Sequence, residues 1–236
     1  MRQRTRIAVL SVLLLLLSVF AVQGIGVSFS YLLPRNGMFS NPVPPLSFRD
    51  IGIDIGRFLG VAGSLSLYSV RGMGIKDTTG TPIDTGGPVV GPFLSVLSSA
   101  VGKLRVPIRH LEVEASGGIF GSYNIDPPLM TGTLDRYLAT ADGNTYETVT
   151  SSVSADGRWA WGWVFGGKIT YFVKGQLGIS AGANYYLGGG DLKLSGDFNG
   201  SDGSSYFAGQ ALPANLQNAR LDYSGLEIIL GVELEL

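Results

Sequence analysis

The chain has 236 residues, with 17 Lys and Arg against 18 Asp and Glu, no cysteine, 35 glycines, 10% aromatic residues and only 15% charged residues. The missing cysteine excludes a disulfide scaffold, a thiolate metal site, a cysteine nucleophile and a lipoprotein anchor. A charged fraction well below the roughly 25% usual in soluble proteins, together with abundant glycine and aromatics, points to one β domain.

The chain opens "MRQRTRIAVLSVLLLLLSVFAVQG". Arg2, Arg4 and Arg6 form a basic region, Ile7 to Phe20 an apolar run, and Ala21 to Gly24 a small-residue cleavage zone, so residues 1–24 are expected to be a cleaved secretory signal peptide. The rival, a permanent anchor helix, needs about 20 apolar residues and the run falls short. Removing this leader leaves 14 basic against 18 acidic residues, a net charge of −4. No basic patch suggests nucleic acid, and no second long apolar run suggests a helical span. Residues 25–236 are therefore expected to form either a soluble exported domain or an outer-membrane β-barrel.

Side chains of a strand alternate between two faces, so a period of two in apolarity marks a strand. In "GIGVSFSYLL", Ile25, Val27, Phe29, Tyr31 and Leu33 share one face. The proline-rich "NGMFSNPVPPLS" after it reads as a loop. "RDIGIDIGRF" sets Ile51, Ile53 and Ile55 against Asp50, Gly52, Asp54 and Gly56, and "GSLSLYSVR" sets Leu65 and Leu67 against Ser64, Ser66 and Tyr68, with a tight hairpin expected near Leu59 to Val61. Residues 72–102 read as a long loop containing a short amphipathic helix, because Phe93, Leu94, Leu97 and Val101 recur at helical spacing; a further strand is the alternative.

"KLRVPI" and "LEVEASGGIFGSY" form a strand pair around Arg109 and His110, with Lys103, Arg105, Glu112 and Glu114 on the polar face. Residues 124–157 are polar and read as a second long loop. "RWAWGWVFGGKITYF" then places Trp159, Trp161 and Trp163 on one face, and "QLGISAGANYYLGG" returns with Leu177, Ile179, Ala181, Ala183, Tyr185 and Leu187 together. After a last polar excursion over residues 188–218, "LEIILGVELEL" puts Leu226, Ile228, Leu230, Val232, Leu234 and Leu236 opposite Glu227, Gly231, Glu233 and Glu235.

The count is about eight strands whose connections alternate long and short. That rhythm predicts an all-β fold, a transmembrane antiparallel up-and-down β-barrel with long extracellular loops and short periplasmic turns. A soluble sandwich or barrel would point its apolar face inward; a membrane barrel points it at lipid and fills its lumen with small and polar side chains. The polar face here is rich in Gly and Ser and poor in Lys, which favours the second. Tyr31, Trp159, Trp161, Tyr171, Tyr185 and Tyr223 lie near strand ends and are expected at the membrane interfaces, with Phe58, Tyr123 and Tyr186 as further members. Trp163 and Phe165 would lie deeper. Asp50, Asp54, Lys103, Arg105, Glu112, Glu114, Lys168 and Glu227 are expected in the lumen as a charge-paired plug, because buried charges require partners.

The leader, strands such as "DIGIDIG" and "LEVEASGGIFGSY", the alternating loop lengths and the closing "GLEIILGVELEL" resemble the small outer-membrane barrels of the OmpX and OmpW type. The resemblance rests on pattern, and the sequence departs from it in ending at Leu236 where those families end in an aromatic. It implies the bacterial outer membrane, outer-membrane lipid and the barrel-assembly machinery as partners, and small hydrophobic solutes or extracellular ligands as cargo. Enzymes among such barrels usually rely on a rim histidine. The single histidine, His110, falls in a short turn on the expected periplasmic side, away from any oriented partner. No catalytic, cofactor-binding or metal-binding residue is expected. "GGG" at Gly188 to Gly190 and "DFNGSDGSS" at Asp197 to Ser205 lack the rest of a phosphate or calcium pattern and read as flexible loop. Two functions follow: a narrow channel for small solutes, with "PFLSVLSSAV" lining its rim, or a surface structural or adhesion protein acting through its long loops.

Overall fold

A computed structural model describes residues 24–141, 145–174 and 176–235; of the expected leader, all but Gly24 lies outside the described residues. The elements are β1 (Gly24–Pro34), β2 (Gly37–Ile55), β3 (Leu59–Met73), β4 (Ile75–Lys76), β5 (Pro82–Ile83), β6 (Phe93–Ile108), β7 (Leu111–Ile125), α1 (Thr131–Thr140), β8 (Thr148–Asp156), β9 (Trp159–Lys174), β10 (Leu177–Asp191), β11 (Lys193–Ser201), β12 (Tyr206–Ala211), α2 (Ala214–Gln217), β13 (Arg220–Asp222) and β14 (Gly225–Glu235). Eight of the strands form an antiparallel ring in the order β1, β2, β3, β6, β7, β9, β10 and β14. The ring closes where β14 pairs with both β1 and β10, from Gly24↔Glu235 to Pro34↔Gly225 on one side and from Leu177↔Leu234 to Tyr186↔Gly225 on the other.

Short turns gather at one end of this ring, at Gly56 to Phe58 and at Arg109 and His110. The outward face is the apolar one. Phe29, Leu65, Ile119, Trp161, Phe165, Ile169, Ile179 and Leu230 are all exposed on the barrel wall. An apolar surface running all round a molecule is far larger than a water-soluble monomer tolerates, and it is the surface a lipid-facing barrel requires. Inside, glycine sets the packing at one crossing. A Cβ on Gly162 would lie 2.2 Å from the carbonyl oxygen of Leu187 and 2.8 Å from the Phe120 ring, and one on Gly188 would lie 2.7 Å from that ring. Phe120 fills the room they leave and stacks edge-on against Tyr186 at 5.1 Å.

Several expectations are corrected. "FLSVLSSAV" is no helix but the start of β6, paired along its length with β3 and β7. Phe93, Ser95 and Leu97 point inward and are buried, so the period of two governs, and neighbouring strands decide what local spacing left ambiguous. The proline-rich segment lies within β2, although the ladder slips between Pro42 and Ser47, where proline cannot donate. The β2–β3 turn falls at Gly56 to Phe58, just before the expected position.

The long connections are folded, not loose. Strands β8, β11 and β12 make a separate three-stranded sheet, and β4, β5 and β13 extend the main sheet beyond β10. These pieces, with α1 and α2, close over a hydrophobic core that includes Ile75, Val89, Leu134, Leu138, Leu192, Leu216 and Leu221, continuous with the barrel interior. Gly188 to Gly190 belong to β10, and Asp197 to Ser201 to β11. At the next turn Asp202 accepts bonds from the Ser204 and Ser205 amides and the Ser204 hydroxyl.

Candidate functional site: the barrel lumen

The lumen is layered. Nearest the short turns, inward positions of five strands around the ring, β2, β6, β7, β9 and β14, carry most of the charge. Lys103 Nζ lies 3.8 Å from Asp50, 3.9 Å from Asp54 and 3.8 Å from Glu114. Arg105 reaches Asp54 at 2.6 Å and Glu112 at 3.6 Å. Lys168 contacts Asp50 at 2.8 Å, Glu233 at 2.9 Å and Glu114 at 3.7 Å. Thr170 adds a bond to Glu233 at 3.2 Å. Each cation is thus shared by at least two carboxylates, the arrangement that buried charge requires.

One turn of geometry makes this possible. The β2–β3 ladder slips between Phe48 and Ile51, so two residues face Ser64 where one would be expected, and Asp50 adopts φ 58°. Such a bulge re-aims the strand. It lets Arg49 and Asp50, adjacent in sequence, both point into the lumen, and Ile51, Ile53 and Ile55 keep the outer face.

The middle layer is built around Glu227, which is wholly buried. Its carboxylate accepts from Arg49 and from the Tyr68 hydroxyl at short range, from Asn184 Nδ2 at 2.8 Å and from the Tyr186 hydroxyl at 2.9 Å. Arg49 also donates through Nε to Ser28 at 2.9 Å, and Tyr68 bonds Ser30 at 2.6 Å. Four donors on one carboxylate, from β2, β3 and β10, tie opposite walls together.

Above this lies an apolar layer: Leu32, Val70, Phe93, Leu97, Phe120 and Val164 are all buried. Tyr223 hangs into it from the β13–β14 connection, its hydroxyl bonded to Ser95 at 2.8 Å and, more closely, to Asn124. Among the described residues, two voids in the lumen measure 60 and 40 Å³. Each is lined partly by charged groups and has room for a few waters.

Of the eight residues expected in the lumen, Asp50, Asp54, Lys103, Arg105, Glu112, Glu114 and Lys168 share the lower cluster, and Glu227 sits apart in the middle layer. Lys168 meets acidic partners, and the Arg105–Glu112 pair is formed across β6 and β7. Glu233, on the same polar face as Glu227, joins the network as well, whereas Arg49, Asn184 and Tyr186 were missed. Alternation alone would have found Asn184 and Tyr186, which share a face with Ser180; Arg49 depends on the bulge, which no local pattern announces.

Among the aromatics, Trp159, Trp161, Tyr171 and Tyr185 are exposed on the outer wall and Tyr31 is partly so. Trp159 packs against Tyr123 with ring centroids 4.8 Å apart and planes tilted by 57°, at the end of β9 nearest the folded connections. Tyr223 and Tyr186 depart from expectation: both are buried inward, with 2% and 1% exposure, because their hydroxyls are consumed by lumen partners. His110 lies exposed in the β6–β7 turn, its carbonyl accepting the Phe172 amide, at the opposite end from the cap.

No family model and no curated protein sequence matches this chain. Among solved structures, the outer membrane protein OprG of Pseudomonas aeruginosa superposes with a TM-score of 0.54 at 8% identity, over 89% of this chain and 94% of OprG. Ail, the attachment invasion locus protein of Yersinia pestis, matches with a TM-score of 0.38 at 10% identity, over 89% of this chain and 94% of Ail. The likeness to OprG is one of fold, and it agrees with the resemblance to the small outer-membrane barrels of the OmpX and OmpW type.

Proposed function

We propose that this chain is a bacterial outer-membrane barrel, exported by its leader, that is closed along its axis and acts through its folded cap as a surface structural or interaction protein. The observation that carries this reading is the filled lumen. A solute moving along the axis would have to part the ion pairs of the lower layer, the Glu227 cluster and then the buried side chains packed around Tyr223, which are continuous with the cap core. The rim once expected from "PFLSVLSSAV" is wall strand, so it offers no mouth. The cap, in contrast, presents an ordered three-stranded sheet on a rigid support, the usual setting for a binding surface. The reading is not an enzymatic one, since His110 lies at the far end from the cap.

Planar-bilayer recording tests the closure: no stable porin-like conductance is expected, and large steady steps would overturn it. Cells displaying the whole chain, compared with cells in which residues 193–218 are replaced by a short turn, test the cap. Adhesion to collagen-coated or fibronectin-coated surfaces should fall in the second, and equal adhesion would argue against a surface role.

A further inference from the structure

Where the lipid-facing wall meets the cap, the small sheet overhangs β9 and β10 and leaves an open cleft of 660 Å³. Its floor is Trp159 and Trp161, which are 69% and 66% exposed and continue downward into Trp163 and Phe165. Its walls bring together three cations from three separate segments: Arg158 before β9, Lys193 at the start of β11 and Arg220 at the start of β13. The connections at this end of the barrel are acidic overall, with Asp77, Asp84, Asp126, Asp135, Glu147, Asp197 and Asp202 among them, so the trio is a local exception.

We infer that this cleft binds the phosphate-bearing headgroup of an anionic lipid in the outer leaflet, with the acyl chains lying along the Trp161–Phe165 wall. Position selects a lipid. A membrane that covers the tryptophan face must put headgroups at the height of the cleft, and tryptophan favours that boundary. Charge selects an anionic one. The cleft itself is lined by three cations and two carboxylates, Asp156 and Asp191. Arg220 Nε is 3.2 Å from Asp191, which is 77% exposed, and Arg158 is 3.6 Å from Asp126, which is 83% exposed. Such exposed pairs are weak, so a phosphate, which offers guanidinium groups bidentate acceptors, competes well for both arginines. Lys193 makes no ion pair among the described residues and adds an uncommitted charge.

This inference rests on the reading of the belt as lipid-facing, and the two can fail separately. The mature chain is folded into nanodiscs of equal phosphatidylglycerol and phosphatidylcholine, and retained lipid is counted by native mass spectrometry. An enrichment of phosphatidylglycerol of about fivefold or more is expected, the factor that one net interfacial cation contributes. It should be lost in the Arg158→Gln/Lys193→Gln/Arg220→Gln variant and reduced in Lys193→Gln alone, whose exposed side chain is not needed for folding. Equal retention of both lipids, or enrichment that survives the triple substitution, overturns the site. Displacement of the lipid by inorganic phosphate alone would overturn the lipid assignment in favour of a free-anion site. A chain that gives no heat-modifiable band in the nanodiscs fails the barrel reading itself, whereas a folded chain without lipid preference fails only this one.

Discussion

Glu227→Gln is the most informative single change in the lumen. The amide keeps the size of the side chain but removes the charge opposite Arg49, whose side chain is 9% exposed against 0% for Glu227. Arg49 would keep its bond to Ser28 Oγ but would have no counter-ion, and the new NH2 group would face two donors, Asn184 and Tyr186 at one oxygen position or Arg49 and Tyr68 at the other. Leaving one member of a buried pair uncompensated costs about 3–5 kcal/mol. Since about 1.4 kcal/mol is tenfold, the folding equilibrium should fall by at least about a hundredfold. The assay is urea titration of the barrel in phospholipid vesicles, followed by fluorescence of Trp159, Trp161 and Trp163, the only tryptophans in the chain and all on one wall strand. Arg49→Gln should cost a similar amount, and the double variant should cost less than the sum of the two by about 1–3 kcal/mol of coupling. If each change costs under about 1 kcal/mol and the two add, the middle layer is hydrated and the argument for a sealed lumen fails.

Depth on the outer wall gives a second test: Phe165→Arg should cost about 2–4 kcal/mol and Trp159→Arg no more than about 1 kcal/mol, because the penalty for a lipid-facing charge falls toward the interface. Equal costs in the same titration would show that β9 does not run from interface to bilayer centre. Gly162→Ala should destabilise by about 1–3 kcal/mol through overpacking against Leu187 and Phe120, and a paired Phe120→Leu change should recover part of it; neutral behaviour of Gly162→Ala would contradict the close crossing. In the cap, the Asp77 carboxylate is held below its ordinary pKa by the Thr79 hydroxyl and the Thr81 amide, and that of Asp202 by the Ser204 and Ser205 amides. A depressed carboxylate stabilises its turn at every pH above the unfolded pKa and loses that contribution as pH falls through the folded one. Amide exchange at Thr79, Thr81, Ser204 and Ser205 should therefore stay slow through mildly acidic pH and accelerate only below the usual carboxylate range; acceleration well above it would refute the turn geometry.

Much of the barrel was legible because a membrane barrel repeats one instruction. Alternation in "LEVEASGGIFGSY" or "GLEIILGVELEL" fixes which side chains face lipid, since a strand offers only two faces. The tryptophans of β9 and the pairing of Lys168 with acidic groups follow from that rule and from the cost of unpaired buried charge. Illegible were the features that depend on what a strand lies beside. The spacing of Phe93, Leu94, Leu97 and Val101 fits a helix in isolation; β3 and β7 on either side make it a strand. Tyr223 looks like an interface aromatic until Ser95 and Asn124, far from it in sequence, supply partners for its hydroxyl.

The sequence by itself thus determined the class of fold, the number of strands in the wall, the lipid-facing side chains and most of the charges in the lumen, because burial and alternation act residue by residue along the chain. Only the tertiary structure decided how the lumen is filled. The filling depends on a bulge that turns Arg49 inward beside Asp50, on Glu227 gathering donors from three strands, and on long connections that looked polar and loose folding over Leu134, Leu192 and Leu216. Each joins groups remote in sequence, and the free energy of such contacts exists only once the ring has closed.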